Sequence, residues 1–161
     1  MKVSVVIPVH NGERYLAEAI ESILSQTFRD FELLIVDDGS TDGSRAVMER
    51  YARQDARIRI LCQANRGVSA AGNRGLAEAR GEWVARLDAD DLFLPEKLER
   101  QLAFVRRYPD VRIAGTLGHF INGAGRFIGL VSTDGPFTRA QFEAMTARGE
   151  PVFFVHSSTL M

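Results

Sequence analysis

Four short apolar runs, separated by segments of helical periodicity, restrict this chain to a narrow set of folds. Val3 to Ile7, Phe31 to Val36, Ile58 to Cys62 and Glu82 to Leu87 are largely apolar, and the first two are near-continuous. Such runs suit strands buried on both faces, as in a parallel sheet. Pro8 stops the first strand, and Asn11 offers a side-chain cap for a helix from about Glu13 to Gln26. Tyr15, Leu16, Ala19, Ile20, Ile23 and Leu24 give that helix one apolar face. A second helix runs to about Gln54, with Val47, Met48 and Tyr51 inward. A third, rich in small residues, covers Ala70 to Ala79, and Gly81 stands where a helix commonly stops. Pro95 opens a fourth, with Leu98, Leu102, Phe104 and Val105 on its apolar side.

Strands alternating with helices imply right-handed crossovers and a parallel sheet. The expected class is α/β: a Rossmann-like, mostly parallel sheet with helices on both faces and a central strand order 3-2-1-4. Beyond it we expect a strand over Val111 to Leu117, a hairpin around Gly123, a helix from Arg139 to Arg148 and a strand from Val152 to Val155. The 161 residues make one domain, 1–161.

Trp83-Val-Ala-Arg-Leu-Asp-Ala-Asp-Asp91 carries the strongest chemical signal. An apolar strand ends in Asp88, Asp90 and Asp91. Carboxylates so close repel one another, and a divalent cation removes that cost. Mg²⁺ and Mn²⁺ take carboxylate oxygens and complete their shell with phosphate oxygens and water. Asp88-Ala89-Asp90 is therefore the expected metal and diphosphate site. In a doubly wound sheet the ends of strands 1 and 4 flank the switch point, where ligands bind. That topology gathers Pro8-Val9-His10-Asn11, Asp37-Asp38 and Asp88-Ala89-Asp90 on one rim.

Asp42 reads as a helix-terminal carboxylate, but the doublet Asp37-Asp38 is poorly explained as caps. Asp38 could instead accept a hydrogen bond from a nucleobase. Gly67 could let its loop pass close to a ligand, with Arg66 or Arg74 offering charge to phosphate, but a plain connection with exposed arginines is the preferred reading of these residues alone. His10, His119 and His156 have no metal-ligand spacing. Cys62, the only cysteine, reads as a small buried hydrophobe. With 20 Lys plus Arg against 21 Asp plus Glu, the chain lacks the basic excess of a nucleic-acid binder. No signal peptide or run of eighteen apolar residues is evident, so a cytoplasmic location is expected, with the inner face of the membrane as an alternative.

Taken in order, the motifs resemble the nucleotide-sugar-binding part of a family 2 glycosyltransferase of the GT-A fold. They are Val3-Ser-Val-Val-Ile-Pro-Val-His-Asn11, Ser22-Ile-Leu-Ser-Gln-Thr27, Val36-Asp-Asp-Gly-Ser-Thr-Asp42, Asn65-Arg-Gly-Val-Ser-Ala-Ala71, Gly81-Glu82 and Leu87-Asp-Ala-Asp-Asp91. The resemblance implies that Pro8, His10 and Glu13 line the base and ribose pocket and that Asp38 reads the base. Val9, Asn11, Gly67, Asp88, Ala89 and Asp90 would complete the donor site. Asp90 would be the principal ligand of Mg²⁺ or Mn²⁺, and Asp88 would approach the ribose or a metal-bound water. It further implies an inverting transfer from a nucleotide-diphosphate sugar, a UDP-sugar being favoured. The acceptor would be a glycan or lipid-linked molecule of polysaccharide, lipopolysaccharide or cell-surface glycan synthesis.

Two departures stand out. Many relatives carry arginine where this chain has Gly72, so a phosphate or base contact is either missing or supplied by Arg74. No match to the family's Glu-Asp motif is found, and Asp134 has no motif around it. The catalytic base is therefore expected beyond Met161, the chain reading as truncated before its acceptor-binding half. The alternative function is a nucleotide-sugar-binding module without transfer activity. An apolar edge around Val152 to Val155 would then support a homodimer. A response-regulator-like phosphoacceptor fits less well. It needs an aspartate after its third strand and a lysine after its fifth, and neither Cys62-Gln-Ala-Asn65 nor Gly115-Thr-Leu-Gly118 supplies them.

Overall fold

The computed structural model describes residues 2–131, 140, 143–144, 147–148 and 159–161. The elements follow the order β1 (Val3–Val9), α1 (Leu16–Leu24), β2 (Phe31–Asp38), α2 (Ser44–Ala52), β3 (Ile58–Gln63), α3 (Val68–Glu78), β4 (Trp83–Arg86), α4 (Lys97–Arg107), β5 (Gly118–Ile121) and β6 (Phe127–Val131). β1 to β4 form one parallel sheet in the order β3-β2-β1-β4, the order expected of the doubly wound arrangement. β5 and β6 form the expected antiparallel hairpin.

Successive side chains of a strand point to opposite faces. Val3, Val5, Ile7 and Val9 accordingly join Leu33 and Ile35 in a core covered by α1, α2 and α4. Val6, Leu34 and Val36 face the other way, against Ala71 of α3. β1 and β2 are buried along their whole length, between the two cores.

Pro8 does not stop β1, which runs on to Val9 beside Val36 and Asp37. The Val6 carbonyl accepts from the Leu87 N–H, so Val6 and, two residues on, Pro8 direct their backbone toward β4. Pairing on that side ends at Val6–Arg86, and the missing N–H of Pro8 leaves no ladder bond broken. Asn11 does not cap α1, whose first turn carries no side-chain cap. It adopts φ 55°, and its Oδ1 accepts from the Thr41 N–H at 2.8 Å, tying the loop after β1 to the loop after β2. Cys62 is exposed, because β3 is the edge of the sheet. Phe104 is 48% exposed and lies against Tyr108, the two rings tilted at 48°, rather than entering the core.

Val111 to Leu117 forms no strand; Ala114 makes a single antiparallel bridge to Leu160. Leu160 also bridges Ala85, so residues 159–161 cover the outer edge of β4. Half of the expected helix from Arg139 to Arg148, and the expected strand and dimer edge from Val152 to Val155, lie outside the described residues. The described residues include no helix long and apolar enough to cross a membrane.

Two buried polar groups lock the layers together. Gln26 donates to the carbonyls of Ser22 and Leu94 and accepts from the Leu98 N–H, joining the end of α1 to the start of α4. Glu32 accepts from Ser4 Oγ, the Arg80 N–H and Arg59 Nη1, at 2.6, 2.8 and 2.8 Å. Burial raises the Glu32 carboxyl, but those donors outweigh it, and its pKa falls below the ordinary value.

Lys97 opens α4 with its ammonium 3.9 Å from the Phe93 ring centroid and 2.8 Å from Gln101 Oε1. Burial pushes its pKa down from 10.5 to about 7. A lysine whose pKa falls on folding destabilises the folded state wherever the unfolded chain holds the proton more strongly than the folded one. That cost is largest below pH 7 and fades as pH rises toward the ordinary lysine value. Lys97→Met is therefore expected to gain most against the native chain near pH 6, with the difference falling steadily to pH 10. Thermal melts across that range check the slope; a constant difference would contradict it.

Candidate functional site

The carboxyl ends of β1, β2 and β4 and the start of α3 enclose one cavity of about 750 Å³. That is ample for a nucleotide. β1 contributes Pro8 and Val9, and the loop after it His10, Asn11, Gly12 and Tyr15. β2 contributes Asp38, and the α3 side contributes Asn65, Gly67, Val68 and Ala71. β4 and its following turn contribute Arg86, Asp88, Ala89 and Asp90. Of the ten residues expected at this site, nine line the cavity.

Glu13 is the exception. Its Oε2 accepts from the Gly43 N–H at 2.9 Å, which fixes the entry to α2. Asp42 does the same from the other side, its carboxylate accepting from the Ser44 and Glu13 N–H groups. Burial raises the Asp42 carboxyl, and the Ser44 and Glu13 donors bring it below its ordinary value. The loops after β1 and β2 are thus cross-linked by Asn11, Glu13 and Asp42, which holds the cavity wall in place.

The doublet that ends β2 has two separate tasks. Asp37 turns back to accept from the Ser40 N–H at 2.9 Å, shaping the turn. Asp38 faces α3 and is 2% exposed. Its Oδ1 accepts from Gln63 Nε2 at 2.7 Å and the Arg66 N–H at 2.9 Å, and its Oδ2 from the Gly67 N–H at 2.8 Å. Desolvation raises the Asp38 carboxyl, but these donors and the nearby His10 more than offset it, and its pKa lies below 3.8. Asp38 is therefore an anion that shapes the β3–α3 loop and keeps lone-pair capacity toward the cavity. Gly67 serves the same bond: its φ of 87° is a left-handed conformation that aims its N–H at Asp38. His10 completes this wall, with Nδ1 3.0 Å from the Asp38 carbonyl and Nε2 3.1 Å from Asn65 Nδ2.

At the other wall Asp88 and Asp90 differ. Asp88 Oδ1 accepts from Arg86 Nε at 3.2 Å and Nη2 at 3.0 Å. Asp90 is exposed and makes no hydrogen bond or ion pair among the described residues. Asp91 donates its N–H to the Asp88 carbonyl, closing a turn that sets both carboxylates at the rim. Among the described residues no group of three His, Cys, Asp or Glu side chains could enclose a metal. The donor set fits a hard ion that takes one or two carboxylates and fills its remaining positions with phosphate oxygens and water. A second cavity of about 190 Å³ shares Tyr15 and Asp90 and is closed by Ile121 to Gly123 of the hairpin.

Sequence reasoning missed Arg86, Tyr15 and Ala71. Arg86 reads as a polar interruption of an apolar strand, and only its β4 register reveals which face it takes. Arg74 is not at the cavity: its Nη1 donates to the Cys62 carbonyl at 2.5 Å. Arg66 contributes its backbone N–H to Asp38, and its side chain is not part of the cavity wall.

Comparison with known proteins gives a consistent picture. The sequence model of Glycosyl transferase family 2 matches residues 4–159. An uncharacterized glycosyltransferase of Nostoc sp. is 45% identical over 139 residues, covering 84% of this chain and 42% of that protein. Glycosyltransferase GlyG of Streptococcus pneumoniae is 36% identical over 126 residues, covering 78% and 42% respectively. The chain thus spans 42% of the length of each. Residues 1–349 of S. aureus TarS, solved in complex with UDP-GlcNAc, superpose with a TM-score of 0.64 at 33% identity, over 68% of this chain and 32% of that one. The mannosyltransferase PcManGT from Pyrobaculum calidifontis, in complex with GDP-Man and Mn²⁺, gives 0.63 at 26% identity, over 71% and 34%. These neighbours share the GT-A fold.

Proposed function

We propose, since the chain belongs to glycosyl transferase family 2, that its cavity binds a nucleotide-diphosphate sugar for an inverting, divalent-metal-dependent sugar transfer. The observation that carries this reading is the placement of Asp38 and Asp90 on either side of the end of β1, in one cavity at the switch point of the sheet. Asp38 accepts a base N–H at one end, with Pro8, Val9 and His10 against the base and ribose. Asp90 holds Mg²⁺ or Mn²⁺ at the other. When bound, the ion supplies charge that stabilises the departing diphosphate. The chain's own part is to orient the donor between these walls, with its sugar directed toward Tyr15 and the hairpin. A UDP-sugar is favoured by the TarS complexes, and a divalent ion by the Mn²⁺ complex of PcManGT.

The acceptor is proposed to be a glycan or lipid-linked molecule met at the inner face of the membrane. Because the chain matches less than half of its relatives' length, we place acceptor selection and the catalytic base in the part it does not match. The relatives' glycosyltransferase names favour an enzyme over a binding module without transfer.

Calorimetric titration with UDP, with and without Mn²⁺, tests the reading. The native chain is expected to bind UDP more tightly with Mn²⁺ than without. Asp90→Ala is expected to remove that gain, roughly 10-fold or more, while binding in EDTA stays unchanged. An undiminished Mn²⁺ effect in Asp90→Ala would remove Asp90 from the metal site.

A further inference from the structure

Three carboxylates line the cavity: Asp38, Asp88 and Asp90. A diphosphate adds further negative charge, and one divalent ion at Asp90 does not balance the sum. Among the described residues lining the cavity, Arg86 is the single arginine or lysine. Its position follows from register. β4 pairs with β1 so that Arg86 stands opposite Val6, whose side chain faces α3. The guanidinium therefore rises on the α3 face of the sheet, at the carboxyl rim.

The space it occupies is left open by Gly72. A Cβ built on Gly72 would meet only Arg86 Nη1, at 3.8 Å. Arg86 uses Nε and Nη2 on Asp88, while Nη1 makes no hydrogen bond among the described residues. A guanidinium held on one edge by a carboxylate presents its remaining donors in a fixed plane, and phosphate oxygens match that fork.

We propose that Arg86 is the diphosphate-binding cation of this site, seated in the space that Gly72 leaves and oriented by Asp88. Asp88 is then a positioning residue for Arg86, and Asp90 alone is the protein's ligand to the metal. The inference rests on the donor-binding reading above and adds the residue that recognises the diphosphate.

The test compares UDP with uridine, by calorimetry in EDTA and in Mn²⁺, for the native chain, Arg86→Gln, and Arg86→Gln combined with Gly72→Arg. Arg86→Gln is expected to weaken UDP binding about 10- to 100-fold in both buffers. Uridine binding is expected to stay within about twofold, which also shows that the variant is folded. An arginine on α3 at position 72 reaches the same space and is expected to restore most of the loss. Equal UDP binding by the native chain and Arg86→Gln would overturn the inference and leave the donor reading standing. An equal loss of uridine and UDP, or no recovery in the double variant, would also overturn it, since both point to a merely structural arginine. Failure of the native chain to bind UDP at all would overturn the donor reading and this inference with it.

Discussion

Asp38→Ala is expected to lower stability by about 3 kcal/mol and to abolish measurable UDP binding. The substitution removes one buried carboxylate, strands Gln63 Nε2 and the Arg66 N–H, and takes the shorter of two acceptors from the Gly67 N–H. Gly67 would then keep its left-handed backbone with only the longer bond to Asn65 Oδ1, at 3.3 Å, to hold its N–H. The β3–α3 loop forms one wall of the cavity, so stability and binding fall together. Asp38→Asn is expected to fare little better, because an amide that satisfies Oδ1 turns its NH₂ toward the Gly67 N–H. The pH dependence follows from the lowered pKa. A carboxyl depressed on folding contributes stability above its unfolded value, 3.8 for Asp38, and loses it as pH falls through the folded value. The difference between native and Asp38→Ala should therefore be full at pH 6 and shrink below about pH 4. Urea unfolding at pH 6, 4 and 3 measures it; a difference that grows in acid would contradict the assignment of Asp38 as an anion.

Gly81→Ala is expected to be at least as damaging to stability, by about 3 kcal/mol or more, with a fall in Tm on the order of 10 °C. A Cβ there would stand 2.5 Å from the Ser4 N and 2.6 Å from the Val3 carbonyl carbon, both backbone atoms of the central strand. Neither can move without opening the β1–β4 ladder that begins at Val3–Trp83. The Gly81 N–H also donates to Ser4 Oγ at 2.8 Å, drawing the chain into this contact. Gly72→Ala is the control. On the same stretch of chain its Cβ meets only Arg86 Nη1, and it adds a better helix former, so stability should be unchanged or slightly raised. Thermal melts of the two variants separate a backbone clash from a general dislike of side chains near α3.

Gly81 shows where sequence and structure part company. A glycine two residues beyond a helical pattern reads as a helix stop. Yet α3 ends at an extended Ala79, and Gly81 is small because two backbones meet there. Asn11 misled in the same way: its short polar side chain suits a cap, and it spans to Thr41 thirty residues away instead. In both cases a residue type that serves several physical ends was read in favour of the local one.

Some features were legible because their cause is local. Buried strands require continuous apolar runs, helices a repeating stripe, and parallel strands a crossover, so the elements and the parallel sheet followed from patterning, and the order β3-β2-β1-β4 from the doubly wound arrangement that such a pattern suggests. The acidic end of β4 and the doublet after β2 were visible because carboxylates beside apolar strands are costly without a partner. What the partner is depends on distances across the sheet. Only the tertiary structure could give Asp38 to the β3–α3 loop, take Glu13 away to α2, and set Arg86 between Gly72 and Asp88. Those assignments depend on strand register and helix packing, which bring together side chains that no spacing in the sequence relates.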